Sequence, residues 1–587
     1  MKLVSLKMNN FRAINGEGNV IEFKDNNIVF LFGKNNIGKS SVLHAYRYFT
    51  SPSQKALITD FHDQDANKEI VIEATFLKED TDNDNFDDKG LNKWVDANGL
   101  VKFRKVWNEV DKTATKMTYS IEEHNFVAGG FGGLEPILTN ATPNIIFIEA
   151  MPSVKALTDW LEKEIKNKLL KKLKDNHQAE YSSALTAIKS LQEKVENEGY
   201  LGEISQKANR YFSETFPELQ LNIQSTPYKE ADLSKAFEKD FSVTIGDKKD
   251  EVIKLAEAVE AAEELLGDDV NPHKIDRKFD LHGHGLIRQA IINILSLFKD
   301  TKDGEKHIIL FEEPELYLHP SNKRKFRNTL YKIAEQDDYQ IICVSHDPQL
   351  IDMSRDHTSL ARFVKKENGE TIIYQAGDSV FSKDAETKDR VLMLNRFNPH
   401  ICETFFSDEV ILVEGDTETI VLRGLIHDHY PNSDLFVVNT GTKNNIPFFI
   451  EVLSHFKIDQ HVIHDSDERY LYTDGQRRLK NDGDPKSNSA WTLNAKIWNA
   501  MEAAKSNGAS VKRYVSVRNF EHSHNYSHDP DKGKPLSAYE FAQTIDINDE
   551  EKSIVNFLKQ IAGDKPYDNE YTQDYLEEIV EEPFKES

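Results

Sequence analysis

The sequence predicts a multidomain α/β protein, in which a phosphate-binding α/β unit carries a helical insert and is followed by a second, Rossmann-like α/β unit. Three observations predict it. A continuous apolar run, Ile28-Val29-Phe30-Leu31-Phe32, leads straight into a glycine-rich turn, Gly33 to Ser40, and then into a helix start. A second run, Ile308 to Phe311, ends in Glu312-Glu313. A third, Val410 to Val413, ends in Glu414-Gly415-Asp416-Thr417-Glu418, and Gln460 to His464 repeats the pattern, ending in Asp465-Ser466-Asp467. Such runs suit strands buried in a parallel sheet, and open α/β sheets bind ligands beyond the carboxyl ends of their strands.

The 587 residues suffice for about three domains, each with its own core. With 39% hydrophobic and 29% charged residues, the chain has the composition of a soluble globular protein. No apolar run approaches the roughly 20 residues of a membrane span. Met1 to Lys7 lacks a signal-peptide core, and Cys343 and Cys402 alone supply neither a disulfide framework nor a cysteine zinc site. A cytoplasmic setting with no membrane partner is expected. The net charge of −26 argues against a surface that coats nucleic acid throughout, while leaving room for a local basic groove. The densest basic clusters are Lys171-Lys172-Leu173-Lys174, Lys323 to Arg327 and Gln476 to Lys480. Solvated helix faces are the plainer reading of the first two; the third follows Asp467 closely and stays open.

In chain order, Gly33-Lys34-Asn35-Asn36-Ile37-Gly38-Lys39-Ser40 fits the eight positions of a P-loop between a strand and a helix. Gly33, Asn35, Asn36, Gly38 and Ser41 would wrap phosphates through the backbone, Lys39 would reach the β and γ phosphates, and Ser40 would ligate magnesium. Acids alternate over residues 79–88, but Asn85 and Leu91 stand where a calcium loop needs glycine and glutamate, so a solvated loop is expected. Val101 to Trp107 and Asn144 to Ile148 look like further strands, and Gly129 to Gly133 like a flexible connector. From about 152 to 268 the pattern turns helical, with Leu157, Trp160, Leu161, Ile165 and Leu169 on one face and a second run from Val252 to Leu266. Strand-like intervals near Leu219 to Ile223 and Phe241 to Ile245 separate them. Either a dimerisation insert or a plain helical subdomain fits.

Leu281-His282-Gly283-His284-Gly285-Leu286 opens a helix that resembles the signature motif of ABC-type and SMC-like ATPases, with histidine in place of the usual serine. In that resemblance Gly283 and Gly285 contact the γ-phosphate bound to the opposite subunit. Ile308 to Glu315 looks like a Walker B strand, where Glu312 would hold the magnesium shell and Glu313 would polarise the attacking water. The strand Ile341 to Val344 leads to His346, which looks like a switch histidine. The motif order resembles an ABC-like ATPase, and the Glu-Glu-Pro-Glu and His-Pro version resembles recombination-mediator and OLD-family ATPases.

A strand ending in Glu-Gly followed by one ending in Asp-x-Asp resembles a TOPRIM domain. The full arrangement resembles the OLD (overcoming lysogenization defect) nuclease family, with ABC-like ATPase over residues 1–151 and 269–400, the insert at 152–268 and TOPRIM at 401–587. A segment from Thr358 to Thr404 would link the two. The resemblance implies DNA cleavage with two divalent metals, ATP binding, a homodimer or larger homo-oligomer, and, for several members, antiphage defence. Glu414 and Asp465 would hold one Mg²⁺, with Mn²⁺ as a substitute, and Asp467 with Asp416 or Glu418 a second. Glu521 and Lys534 match a late carboxylate and lysine of the family; surface roles fit equally. A topoisomerase would need a cleavage domain with its tyrosine, and a primase a zinc module; neither is evident. An ATP-driven DNA clamp that binds metal without cutting is the rival from another class. A regulatory partner protein or nucleic acid is a further expectation, since an unrestrained nuclease would cut its own genome. Glu577 to Glu582 reads as an acidic tail.

Overall fold

The computed structural model describes residues 1–24, 26–82, 86, 91–129, 141–150, 200–225, 241–247, 277–278, 282, 286–287, 290, 306–316, 318–352, 355, 357–377 and 399–579. Two mixed or parallel sheets carry the functional edges. In the first, the strand order is Thr371–Gln375, Leu360–Lys365, Ile28–Phe32, Tyr339–Val344, His307–Glu312, Asn144–Ile148. Every pairing in it is parallel except that of the Thr371–Gln375 edge strand. Its central strands are buried along their whole length, as the apolar runs require. Thr358 to Gln375 is therefore no plain linker: it contributes two strands to the ATPase sheet, with Leu360 to Phe363 buried throughout.

An antiparallel six-stranded sheet, in the order Val20–Glu22, Lys2–Asn9, Ile70–Leu77, Leu100–Trp107, Thr115–Ser120, Asn125–Ala128, lies beside it. It shares a core with the Lys39–Thr50 helix through Leu6, Phe76, Phe103, Tyr46 and Phe49. Its alternating burial on Ile70–Leu77 is the period-two pattern of a sheet with one covered face. The solvated loop expected at 79–88 is corrected at Asp82, which is buried and paired with the Met1 amine at 2.7 Å.

The second parallel sheet runs Phe436–Asn439, Glu409–Val413, Asp459–Asp465, Val511–Ser516. Helices Ile446–His455 and Ser489–Ser506 cover one face, while Asp416–His429, Gly533–Thr544 and Ser553–Ile561 cover the other. This is the doubly wound arrangement expected of the C-terminal unit. The acidic tail expected from Glu577 is corrected over its described residues, since Gln573–Ile579 is helical and buries Leu576 against Trp491 and Val515. Residues 580–587 lie outside the described residues.

Inside the expected insert, helix Tyr200–Thr215 packs on strand Leu219–Ser225, which pairs antiparallel with Phe241–Asp247. The helical runs at 157–169 and 252–266, the Lys171–Lys174 cluster, the connector at 130–133, and Gly283 and Gly285 lie outside the described residues.

Candidate nucleotide and metal sites

Three neighbouring parallel strands, Ile28–Phe32, Tyr339–Val344 and His307–Glu312, deliver the P-loop, His346 and the Glu312-Glu313 pair to one sheet edge. The loop's glycines are fixed by contact. A Cβ on Gly33 (φ +133°) would stand 2.5 Å from the Phe363 carbonyl oxygen, and one on Gly38 (φ +104°) 2.9 Å from Ile14 Cγ1. Lys39 is buried and donates through Nζ to the carbonyl oxygens of Gly33, at 2.8 Å, and Lys34. Burial pushes its pKa down to about 8 against the raising influence of Glu313. A glycine-only cradle with a desolvated lysine at its floor fits a bound polyphosphate. Ser40 and Ser41 open the helix, Asn35 and Asn36 are exposed on the loop, and Asn36 takes φ +59°.

At the same edge, His346 Nε2 lies 3.5 Å from Glu313 Oε1. Burial, then Lys39, holds His346 below the ordinary imidazole range. Glu312 Oε2 accepts from the Ala150 N–H at 3.3 Å. Sequence reasoning assigned no role to Glu315, the third acid of the Glu-Glu-Pro-Glu run. Its buried Oε1 accepts from Ser345 Oγ at 3.0 Å and the His346 N–H at 2.8 Å, so it fixes the turn that carries the histidine.

The second sheet brings Glu414 and Asp465 together at the ends of adjacent strands. Glu414 Oε1 accepts the Asp465 N–H at 2.8 Å. Lys443, almost fully buried, lies between them and Asp467: its Nζ is 2.6 Å from Asp467 Oδ2 and 3.9 Å from Glu414 Oε1, and it donates to the Asp465 carbonyl oxygen. Burial raises Glu414 to about 7, with Asp467 and Glu418 adding to the rise and Lys443 and the Asp465 N–H opposing it. Asp465 is pushed well above the carboxylate range by burial and then by Glu414, Glu418 and Asp467. Glu418, at the start of the Asp416–His429 helix, is likewise raised by burial; Glu521 and Asp416 add to the rise and Lys534 counters it. Glu521 and Lys534 thus lie within electrostatic reach of the cluster. Asp416 accepts from Asn439 Nδ2 at 2.7 Å on the exposed rim.

Among the described residues, no three His, Cys, Asp or Glu side chains are already drawn together as a ligand set. The donors nonetheless fit hard divalent cations: all are carboxylates, and crowding and burial raise the free energy of their charged forms. Lys443 escaped sequence reasoning; its signal was its place in the Gly441-Thr442-Lys443 turn, directly after a strand of the same sheet. Beneath the acids, the buried Arg513 donates through Nε to His464 Nε2 at 2.9 Å, and His464 Nδ1 contacts the Asp465 carbonyl oxygen at 2.8 Å. Burial, then the neighbouring charges of Arg513 and Lys443, holds His464 well below the ordinary imidazole range, against the hydrogen bond to the Asp465 carbonyl.

The two edges are physically joined. Lys34, in the P-loop, pairs with Asp408 Oδ2 at 2.7 Å and Asp434 Oδ2 at 3.0 Å. The other Asp408 oxygen takes Arg362 at 2.6 Å, and Arg362 also donates to the carbonyl oxygens of Ser407, Phe456 and Lys457. Phe32 packs on Phe405, Phe406 and Phe456 with ring centroids 5.6 to 5.8 Å apart.

Residues 1–351 match the family described as AAA ATPase domain, and residues 405–467 the overcoming lysogenization defect protein-like TOPRIM domain. The Old nuclease of Escherichia phage P2 is 23% identical over 574 residues, which cover 90% of this chain and 89% of that protein. The OLD nuclease of Thermus scotoductus is 28% identical over 191 residues, 32% of this chain and 35% of its own length. Endonuclease GajA of Bacillus cereus (strain VD045) is 22% identical over 456 residues, 75% of this chain and 71% of that protein. Among solved structures, an Smc head bound to the C-winged helix domain of ScpA aligns with 65% of this chain and 99% of its own, at 11% identity and a TM-score of 0.41. With a matching ATPase region over more than half its length and the matching TOPRIM segment behind it, the chain belongs to the OLD family of AAA ATPase and TOPRIM proteins.

Proposed function

We propose that the protein is an ATP-binding, divalent-metal-dependent DNA endonuclease whose cutting is gated by nucleotide or by a partner. The observation that carries the reading is Lys443, held between Glu414, Asp467 and the Asp465 carbonyl oxygen where two adjacent parallel strands end. Glu414 and Asp465 would hold one Mg²⁺ or Mn²⁺, and Asp467, with Asp416 or Glu418, a second. Such ions supply an activated water and neutralise charge on a phosphodiester. The chain's own part is to aim these oxygens, through the Glu414 to Asp465 hydrogen bond and the His464 and Lys443 contacts at the Asp465 carbonyl. Lys443 and Lys534 bring positive charge toward a scissile phosphate.

ATP, when bound at the P-loop, presents phosphates to Lys39 and Ser40, facing Glu312, Glu313 and His346. Occupying that cradle would draw Lys39 from the Gly33 and Lys34 carbonyls, at the residue whose side chain holds Asp408 and Asp434. This contact supports nucleotide gating. A homodimer or larger assembly and a role in antiphage defence follow the family resemblance; a cytoplasmic setting follows the low cysteine content. Among the described residues no helix is long and apolar enough to cross a membrane.

The test is conversion of supercoiled plasmid to nicked or linear forms with Mg²⁺ or Mn²⁺, with and without ATP, for wild type, Asp465→Ala and Glu414→Ala. Metal-dependent cutting that falls at least a hundredfold in both variants is expected. Equal cutting by wild type and variants would sink the reading, and DNA binding with no cutting under any condition would favour the clamp.

A further inference from the structure

Residues 469–486 stand out from the sheet between the Asp459–Asp465 strand and the Ser489–Ser506 helix. They form a built hairpin, although it covers no core. Tyr472–Thr473 pairs with Gln476–Arg477, and bridges at Tyr470 to Ser487 and Leu479 to Pro485 extend the pairing on either side. Backbone hydrogen bonds from Leu471 to Lys486, Arg478 to Leu471 and Lys480 to Asp484 complete it. An isolated two-stranded hairpin is at best marginally stable in water, and this one is exposed at every residue from Thr473 to Asp484.

Its chemistry differs from that of the chain around it. Arg469, Arg477, Arg478, Lys480 and Lys486 outnumber Asp474, Asp482 and Asp484, on a protein of net charge −26. Arg469 and Arg477 both lie over the Tyr470 ring, at 5.7 and 5.0 Å from its centroid, and Arg477 donates to the Tyr472 hydroxyl at 3.3 Å. Leu479, flanked by Arg478 and Lys480, is 61% exposed, the most exposed large hydrophobic side chain among the described residues.

The root of the hairpin is tied to the acid cluster. The Asp467 N–H donates to the Arg518 carbonyl oxygen at 2.7 Å, Arg518 faces Glu468 at 3.6 Å, and the Asn488 N–H closes on the Arg469 carbonyl oxygen at 3.0 Å. Only Glu468 separates Asp467 from Arg469. A polyanion held on this arm would therefore lie against the edge that Asp465 and Asp467 line.

We propose that this hairpin is a DNA-holding arm, on which Arg477, Arg478 and Lys480 grip the phosphate backbone of a duplex while Leu479 packs against its sugars. The assignment rests on the nuclease reading for its choice of polyanion. It supplies what the acid cluster lacks: repelling carboxylates cannot draw DNA in, whereas a protruding cationic arm releases counterions from the backbone as it binds.

The test is fluorescence anisotropy of the full-length protein with a labelled duplex of roughly three helical turns, in EDTA so that binding is read without cutting, over a range of salt. Wild type is compared with Arg477→Ala/Arg478→Ala/Lys480→Ala and, separately, Leu479→Ser. The triple variant should bind at least tenfold more weakly, and its slope of log affinity against log salt should be shallower by about 2 to 3, near one per lost phosphate contact. Leu479→Ser should weaken binding with the slope unchanged. ATP hydrolysis and urea unfolding should stay at wild-type values in both variants. Unchanged affinity and slope in the triple variant, or no duplex binding by wild type, would overturn the arm. Wild-type binding that the triple variant loses, with no cutting when metal is restored, would keep the arm and overturn the nuclease.

Discussion

Lys443 shows how much one side chain can decide here. Its buried ammonium is the nearest positive charge to Glu414 and Asp467, and it opposes the rise that burial and crowding impose on Glu414 and Asp465. Removing one member of a buried pair leaves the other charged and unmatched, which costs roughly 3 kcal/mol. Lys443→Met should lower the urea-unfolding free energy of the metal-free protein by about that amount, and Mg²⁺ should restore most of it; a loss that Mg²⁺ leaves unchanged would count against a metal at this edge. The acids themselves were legible because a carboxylate following an apolar run is informative at a sheet edge. Lys443, Glu315 and Lys34 were not, because a charged residue in a turn carries no periodic signal and their partners lie 24, 31 and 400 residues away in the chain.

At the scale of elements, strands were read closely where burial on both faces makes the sequence continuously apolar, as at Ile28–Phe32. The short Gln573–Ile579 helix escaped because a single buried residue, Leu576, anchors an otherwise acidic segment. Helix Ser553–Ile561 is anchored differently, through a histidine. His524 Nε2 accepts the Ile554 N–H at 2.9 Å, while its Nδ1 meets the Phe520 carbonyl oxygen at 2.7 Å. That pairing suits the neutral ring, and burial pushes its pKa down to about 4. As pH falls, the unfolded chain takes up this proton first. The contribution is therefore complete above about pH 6.5 and is lost progressively toward pH 4, by about 2 kcal/mol between pH 7.5 and 5. Urea unfolding at the two pH values, with His524→Gln as the non-titrating reference, checks it: the variant should lose less stability than wild type across that interval. Equal losses would remove His524 from the account.

Across the whole molecule, the ATPase and TOPRIM sheets share one apolar core, in which Phe32, at the end of the strand that leads into the P-loop, packs on Phe405 and Phe456. Asp408 receives Lys34 on one oxygen and Arg362 on the other, and the strand that begins at the next residue ends just before Glu414. A shift at the P-loop thus has a short, rigid route to the acid cluster. Asp408→Asn should bring the ratio of cleavage with and without ATP toward 1 while nucleotide affinity stays within about threefold; a ratio equal to that of wild type would place the coupling elsewhere. Both halves of this account depend on the acid edge being a metal site, and the most direct measurement is electron paramagnetic resonance of Mn²⁺ titrated into wild type and Asp465→Asn. The account predicts tight Mn²⁺ binding to wild type that competes with Mg²⁺ and weakens at least tenfold in the variant, with the Lys39→Ala protein retaining it. Equal Mn²⁺ binding by wild type and Asp465→Asn would contradict it.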